Sequence, residues 1–136
     1  MDIRKFAVEE TTVVHLRDAN DVLMYADEAQ TMPCRVELYG PGSKPFAKAQ
    51  AAQNARMLER LKRKGKVEQS ADEMASERVA FLAACTKSTE NIEYDQLQGE
   101  ALYKAVYGDP TLGFIPDQLN KHLGDWANFT KPAPQN

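Results

Sequence analysis

The sequence predicts an α+β fold: a small N-terminal antiparallel β-sheet of about three strands, followed by about four α-helices. Three observations predict it. Residues 1–40 hold short β-branched or alternating runs separated by turn clusters. Gly40-Pro41-Gly42 then stops any strand. Beyond it, apolar residues recur at spacings of three and four. Strands and helices come in blocks rather than alternating, which excludes a doubly wound α/β sheet.

In order, TTVVHL (11–16) reads as a strand, DAND (18–21) as a turn and VLMY (22–25) as a returning strand, together a hairpin. CRVELYG (34–40) alternates Cys34, Val36 and Leu38 against Arg35, Glu37 and Tyr39, a half-buried strand of period two. Ser43 is a good N-cap for a helix over 44–64 in which Ala47, Ala51, Ala55 and Leu58 recur. Phe46, Met57, Leu58 and Leu61 are its expected anchors. Gly65 and the nearby cations suit its C-terminus. Ser70 with Glu73 has capping-box spacing and opens a second helix ending in FLAACT. KSTENIEYD (87–95) reads as a connection, 96–107 as a third helix, and YGDPTLGF (107–114) as a loop. Pro116 starts a last helix carrying Leu119, Leu123, Trp126 and Phe129. Residues 1–40 thus form a β region and 41–130 a helical region packed on it in one compact domain. Residues 131–136 form a flexible tail.

Composition places the chain in the soluble globular class. No apolar run approaches the roughly 18–20 residues that span a bilayer, and MDIRKFAVEE has no signal-peptide core. Cys34 and Cys85 stand apart without a CxxC or a nearby His, and read as reduced, buried thiols. Net charge is −3, but it is segregated. Residues 1–40 carry 4 basic and 8 acidic groups, 41–66 carry 8 and 1, and 67–136 carry 5 and 11. The basic island can bind an acidic partner, pair within the chain, or join copies head to tail.

No catalytic constellation emerges. His15 and His122 lack partners at dyad spacing, and there is no GxSxG, HExxH, P-loop or GxGxxG. GPGSKP (40–45) carries two prolines that remove donors a phosphate cradle needs. The expectation is a protein that is not an enzyme, with no catalytic residue, metal or cofactor. Arg56, Arg60, Arg63 and Lys64 share one helical face by spacing. With Lys48 they are the candidate partner-binding residues, on the exposed side of the 44–64 helix; the last helix is a second candidate surface. Nucleic acid is the weaker reading of that face, because no aromatic side chain is interleaved for base stacking.

The join VELYGPGSKPFAKAQAAQNARML (36–58) resembles the signature of the tail assembly chaperones of long-tailed (siphovirus-type) bacteriophages. There a strand ends in a Tyr-Gly-Pro-x-Ser turn and an Ala-Gln-rich helix follows, matched by Tyr39, Gly40, Pro41 and Ser43. LAACT (82–86), with Cys85, and the closing PTLGFIPDQLNKHLGDWANF (110–129), with Asp125, Asn128 and Phe129, are also similar. KSTENIEYD departs from the pattern in lacking a Trp. The resemblance implies a non-enzymatic assembly factor of the host cytoplasm, absent from the mature virion. Such a protein binds the tape measure protein, keeps it soluble, helps recruit the major tail (tube) protein, and self-associates. A minor structural virion protein, such as a head–tail connector or tail component, is the alternative, and a nucleic-acid-binding phage protein is a weaker one.

Overall fold

Strand β1 (Thr11–His15) pairs antiparallel with β2 (Arg35–Tyr39), from Thr11↔Tyr39 to His15↔Arg35. In the computed structural model, which describes residues 1–64 and 70–131, β2 is central, and β3 (Thr86–Glu90) pairs antiparallel on its other side. Helices α1 (Lys44–Lys64), α2 (Ala71–Ala84), α3 (Gly99–Gly108) and α4 (Phe114–Leu123) complete the α+β fold. The tail expected at 131–136 lies, beyond Lys131, outside the described residues, as do Gly65 and Lys66.

The third strand is not the one expected. VLMY forms no strand: Leu23 and Tyr25 make only single bridges, to Arg17 and Pro33. The DAND turn itself forms, with the Asp18 carboxylate accepting from the Asn20 and Val22 N–H groups. Tyr25 and Pro33 form a non-hydrogen-bonded pair between two backbone bonds, Ala26 N–H to the Met32 carbonyl at 2.8 Å and Cys34 N–H to the Met24 carbonyl at 3.0 Å, and the pairing goes no further than these isolated bridges. Thr86–Glu90, read as part of a polar connection, takes the place instead, opposite Val36 at Thr89 and opposite Leu38 at Thr86. Its polarity is affordable because the sheet is one-sided. Val36 and Leu38 face the helices, whereas Arg35 and Glu37 face outward with Ser88 and Glu90. The Glu37 carboxylate accepts from Thr11 Oγ1 at 2.8 Å and lies 3.8 Å from Lys87 Nζ on that outer face. Buried Thr86 donates to the Leu82 carbonyl (2.9 Å) and shares a hydrogen bond with the Tyr107 hydroxyl (2.8 Å), so neither buried hydroxyl is orphaned.

Helix starts follow local chemistry. Ser43 Oγ accepts from the Phe46 N–H and donates to the Gly40 carbonyl at 2.7 Å. Ser70 caps α2 by accepting from the Glu73 N–H, as the capping-box spacing predicts. α3 begins at Gly99, after left-handed Asp95 and Gln96. α4 starts at Phe114 and stops at Leu123, so Pro116 lies within its first turn rather than opening it. The expected single last helix is therefore broken: after Gly124, Asp125 caps a separate 3-10 turn, Trp126–Phe129, by accepting from the Ala127 N–H.

That turn closes the fold. The core gathers Leu16, Val36, Leu38, Leu82, Cys85, Leu119 and Phe129, all almost fully buried. Phe129 lies directly on the backbone of Gly40, where a β-carbon would fall 2.3 Å from its ring. The Glu9 N–H donates to the Phe129 carbonyl and the Gly40 N–H to the Glu10 carbonyl, each at 2.7 Å. Glycine is required here by close approach, not by an unusual φ. Gly40→Ala should cost roughly 1–3 kcal/mol by overpacking, and Phe129→Ala about 3–5 kcal/mol by leaving a cavity. In urea unfolding, Gly40→Ala should cost little once Phe129 is Ala, a coupling that independent sites lack.

Candidate partner-binding surface

α1 and α2 form an antiparallel helical hairpin with one contact near each end. Near the start of α1, Phe46 meets Phe81 edge to face, with centroids 5.5 Å apart. Four turns on, the Arg60 guanidinium reaches across to Glu77, with Glu73 Oε2 3.9 Å from Nε. Arg60 is only 5% exposed and Ala49 4%, and these two are the buried residues of α1 among those described. The long apolar stem of Arg60 packs along the seam while its charged end finds carboxylates.

This contact fixes the rotation of α1 about its axis. At 100° per residue, Ala49, Gln53, Arg56 and Arg60 share the face toward α2. Ala47, Ala51, Leu58 and Leu61 fall on the other side and are exposed, Leu58 to 56% and Leu61 to 43%, and Ala55, also exposed, borders the groove between α1 and α2. The apolar stripe legible in the sequence therefore points away from the body. Of its expected anchors only Phe46 packs inward; Met57, Leu58 and Leu61 do not.

The candidate residues divide accordingly. Arg60 is not exposed, which corrects its placement on the partner-facing side. Arg56 is half-buried, and Arg63 is exposed at the mouth of the α1–α2 groove. That groove, about 590 Å³, has Arg56, Arg60 and Arg63 on one wall and Asp72, Glu73 and Glu77 on the other. The basic island is thus paired in part within the chain, one of the three uses its charge allowed. Lys48 lies exposed on another edge of α1. The side chain of Lys64 lies outside the described residues.

The motif residues from distant parts of the chain converge. Tyr39 donates its N–H to the Cys85 carbonyl at 2.7 Å, next to the Gly40–Phe129 contact, and Asn128 Nδ2 donates to the His122 carbonyl at 2.8 Å. Pro41 fills the turn between Gly40 and Ser43. These residues cap, turn and pack. Cys85 is fully buried, which pushes its thiol pKa up to about 12 and keeps it protonated. His122 packs on Phe129 and lies 3.4 Å from Thr12 Oγ1, with its pKa lowered by burial. His15 is held by the Met24 carbonyl at 2.8 Å. Trp126, expected on the apolar side of the last helix, is 57% exposed.

Among the described residues, no group of three or more His, Cys, Asp or Glu is placed to hold a metal ion, and no helix is long and apolar enough to cross a membrane. Comparison with protein-family models, with curated proteins and with solved structures gives no significant match.

Removing one partner of a buried ion pair costs about 3–5 kcal/mol. Arg60→Ala should fall near the lower end, because Glu73 and Glu77 keep other interactions. Exposed Lys62→Ala should stay within about 0.5 kcal/mol of the parent. Urea midpoints of the two variants check this; equal midpoints would place Arg60 at the surface.

Proposed function

We propose that this chain is a phage tail assembly chaperone. It binds the tape measure protein through helix–helix contact, keeps it soluble, and helps bring tail tube subunits to it, without catalysis. It works in the host cytoplasm, self-associates, and leaves the finished particle. One observation carries the reading: α1, about 30 Å long by its 1.5 Å rise per residue, spends its polar face on its own body and offers its apolar face outward. A holdase for a long amphipathic helix needs such a face, since the client's own apolar stripe is what aggregates when uncovered. The resemblance at Tyr39–Ser43, around Cys85 and at Asp125–Phe129 supports the same family, and those segments meet in space. The inward turn of Arg56 and Arg60 toward α2 weakens the nucleic-acid reading of the basic face.

Co-expression tests this. The long helical tape measure protein of the same gene cluster should be insoluble alone, and should become soluble and co-elute with this chain when the two are made together. An insoluble tape measure protein with no complex would refute the reading. Mass spectrometry of mature particles should find the chain absent; a stoichiometric presence would favour the minor structural virion protein instead.

A further inference from the structure

We propose that the outward face of α1 docks an amphipathic helix whose acidic residues run along one edge, that edge lying against Lys44, Lys48 and Lys62. The inference rests on the chaperone reading and specifies the partner's chemistry at its surface. The stripe from Ala47 to Leu61 is about 21 Å long, or four helical turns, and it is exposed throughout. Its alanines allow a second helix to approach closely, and Leu58 and Leu61 supply bulk at one end.

Charge selects the occupant. Lys44, Lys48 and Lys62 lie along one side of the stripe, and Glu59, the sole acidic residue of α1, shares that side, which leaves it net basic. All three lysines are exposed, and none forms an ion pair with a described residue. The other flank carries Gln50, Asn54 and Met57, uncharged among the residues whose side chains are described, and Lys64, seven residues after Met57, falls on that side by spacing. A basic edge beside an apolar stripe accepts acidic residues on one side of the partner, and so sets its rotation as flanking charges do in coiled coils. Beside Lys44 and Lys48 the surface dips into a groove of about 620 Å³, floored by Ala49, Ala52 and Ala84 and walled by Tyr39. The lysine edge thus continues into an apolar seat. A second copy of the chain suits this face less well. Antiparallel pairing of two α1 stripes would set one lysine edge against the other, where Glu59 offsets only one of the three lysines of each copy, so two net-positive edges would meet.

The test uses the full chain and two synthetic amphipathic helical peptides with the same leucine stripe, one with Glu along one flank and the other with Lys there. Fluorescence anisotropy at low salt should show the Glu peptide binding at least about tenfold tighter, a difference that shrinks as salt rises. The triple variant Lys44→Glu/Lys48→Glu/Lys62→Glu should reverse the preference. Leu58→Asp, an exposed site whose fold circular dichroism verifies, should weaken both peptides at least about tenfold. Equal binding of the two peptides, no binding, or indifference to Leu58→Asp would overturn the proposal. So would sedimentation showing a dimer that Leu58→Asp dissociates, because a second copy would then be the occupant. Failure with the peptides while the tape measure protein is still solubilised removes this surface and leaves the chaperone reading standing. Peptide binding without solubilisation keeps the surface and removes that reading.

Discussion

The buried guanidinium of Arg60 decides what α1 shows to solvent. A 21-residue helix that touches its body along one narrow seam could settle at many rotations. Hydrophobicity alone would turn Leu58 and Leu61 inward. Instead, Arg60 is held between Glu77 and Glu73, and Phe46 against Phe81 sets the other end. Turning the helix to bury the leucines would strip Arg60 of its carboxylates, or drag a charge through an apolar seam. Leu58 and Leu61 are each only about half exposed, so turning them inward would gain roughly 1.5–3 kcal/mol, no more than the loss of a buried pair costs. The helix is therefore stable with its apolar side outward.

The rest of the molecule serves as a mount for that helix. β2 runs straight into the Gly40-Pro41-Gly42 turn, and Ser43 ties the turn to the first helical residues. Phe129, returning from the far end of the sequence, packs on Gly40 and locks the turn from outside. Cys85, at the end of α2, accepts the Tyr39 N–H and joins the second helix to the same point. Segments that look like separate motifs in the sequence are thus one junction, where the direction of α1 is set. This gives a physical reason why a glycine, a small hydroxyl residue and a terminal aromatic should occur together.

Much of the fold was legible because it rests on local rules. The period-two pattern of 34–40, the Gly-Pro-Gly stop, and the Ser70–Glu73 box each name their own structure. The third strand was not legible. Thr86–Glu90 turns only its two threonines toward the core and shows polar residues outward, so it lacks the apolar signature that VLMY has. VLMY in turn pairs only through isolated bridges to Arg17 and Pro33, which its apolar composition does not reveal. The site was half legible. Spacing correctly grouped Arg56, Arg60 and Arg63, but it could not say which side of α1 faced the body. An apolar stripe is ordinarily the buried side, and here the acidic residues of α2 outbid it. Lys44 and Lys62, not chosen as candidates beside the arginines, lie exposed on the outer side of α1; their place next to the alanines was the available signal.

The rotation of α1 is the claim on which the account stands, and cysteine labelling tests it most directly. Native Cys34 and Cys85 are buried and serve as slow internal references. Ala51→Cys and Leu58→Cys should react with a thiol reagent at nearly the rate of an unfolded chain, whereas Ala49→Cys should react only as fast as the fold opens. Protection of positions 51 and 58 in the monomer, with rapid labelling at 49, would contradict the account and turn the apolar stripe back toward the core.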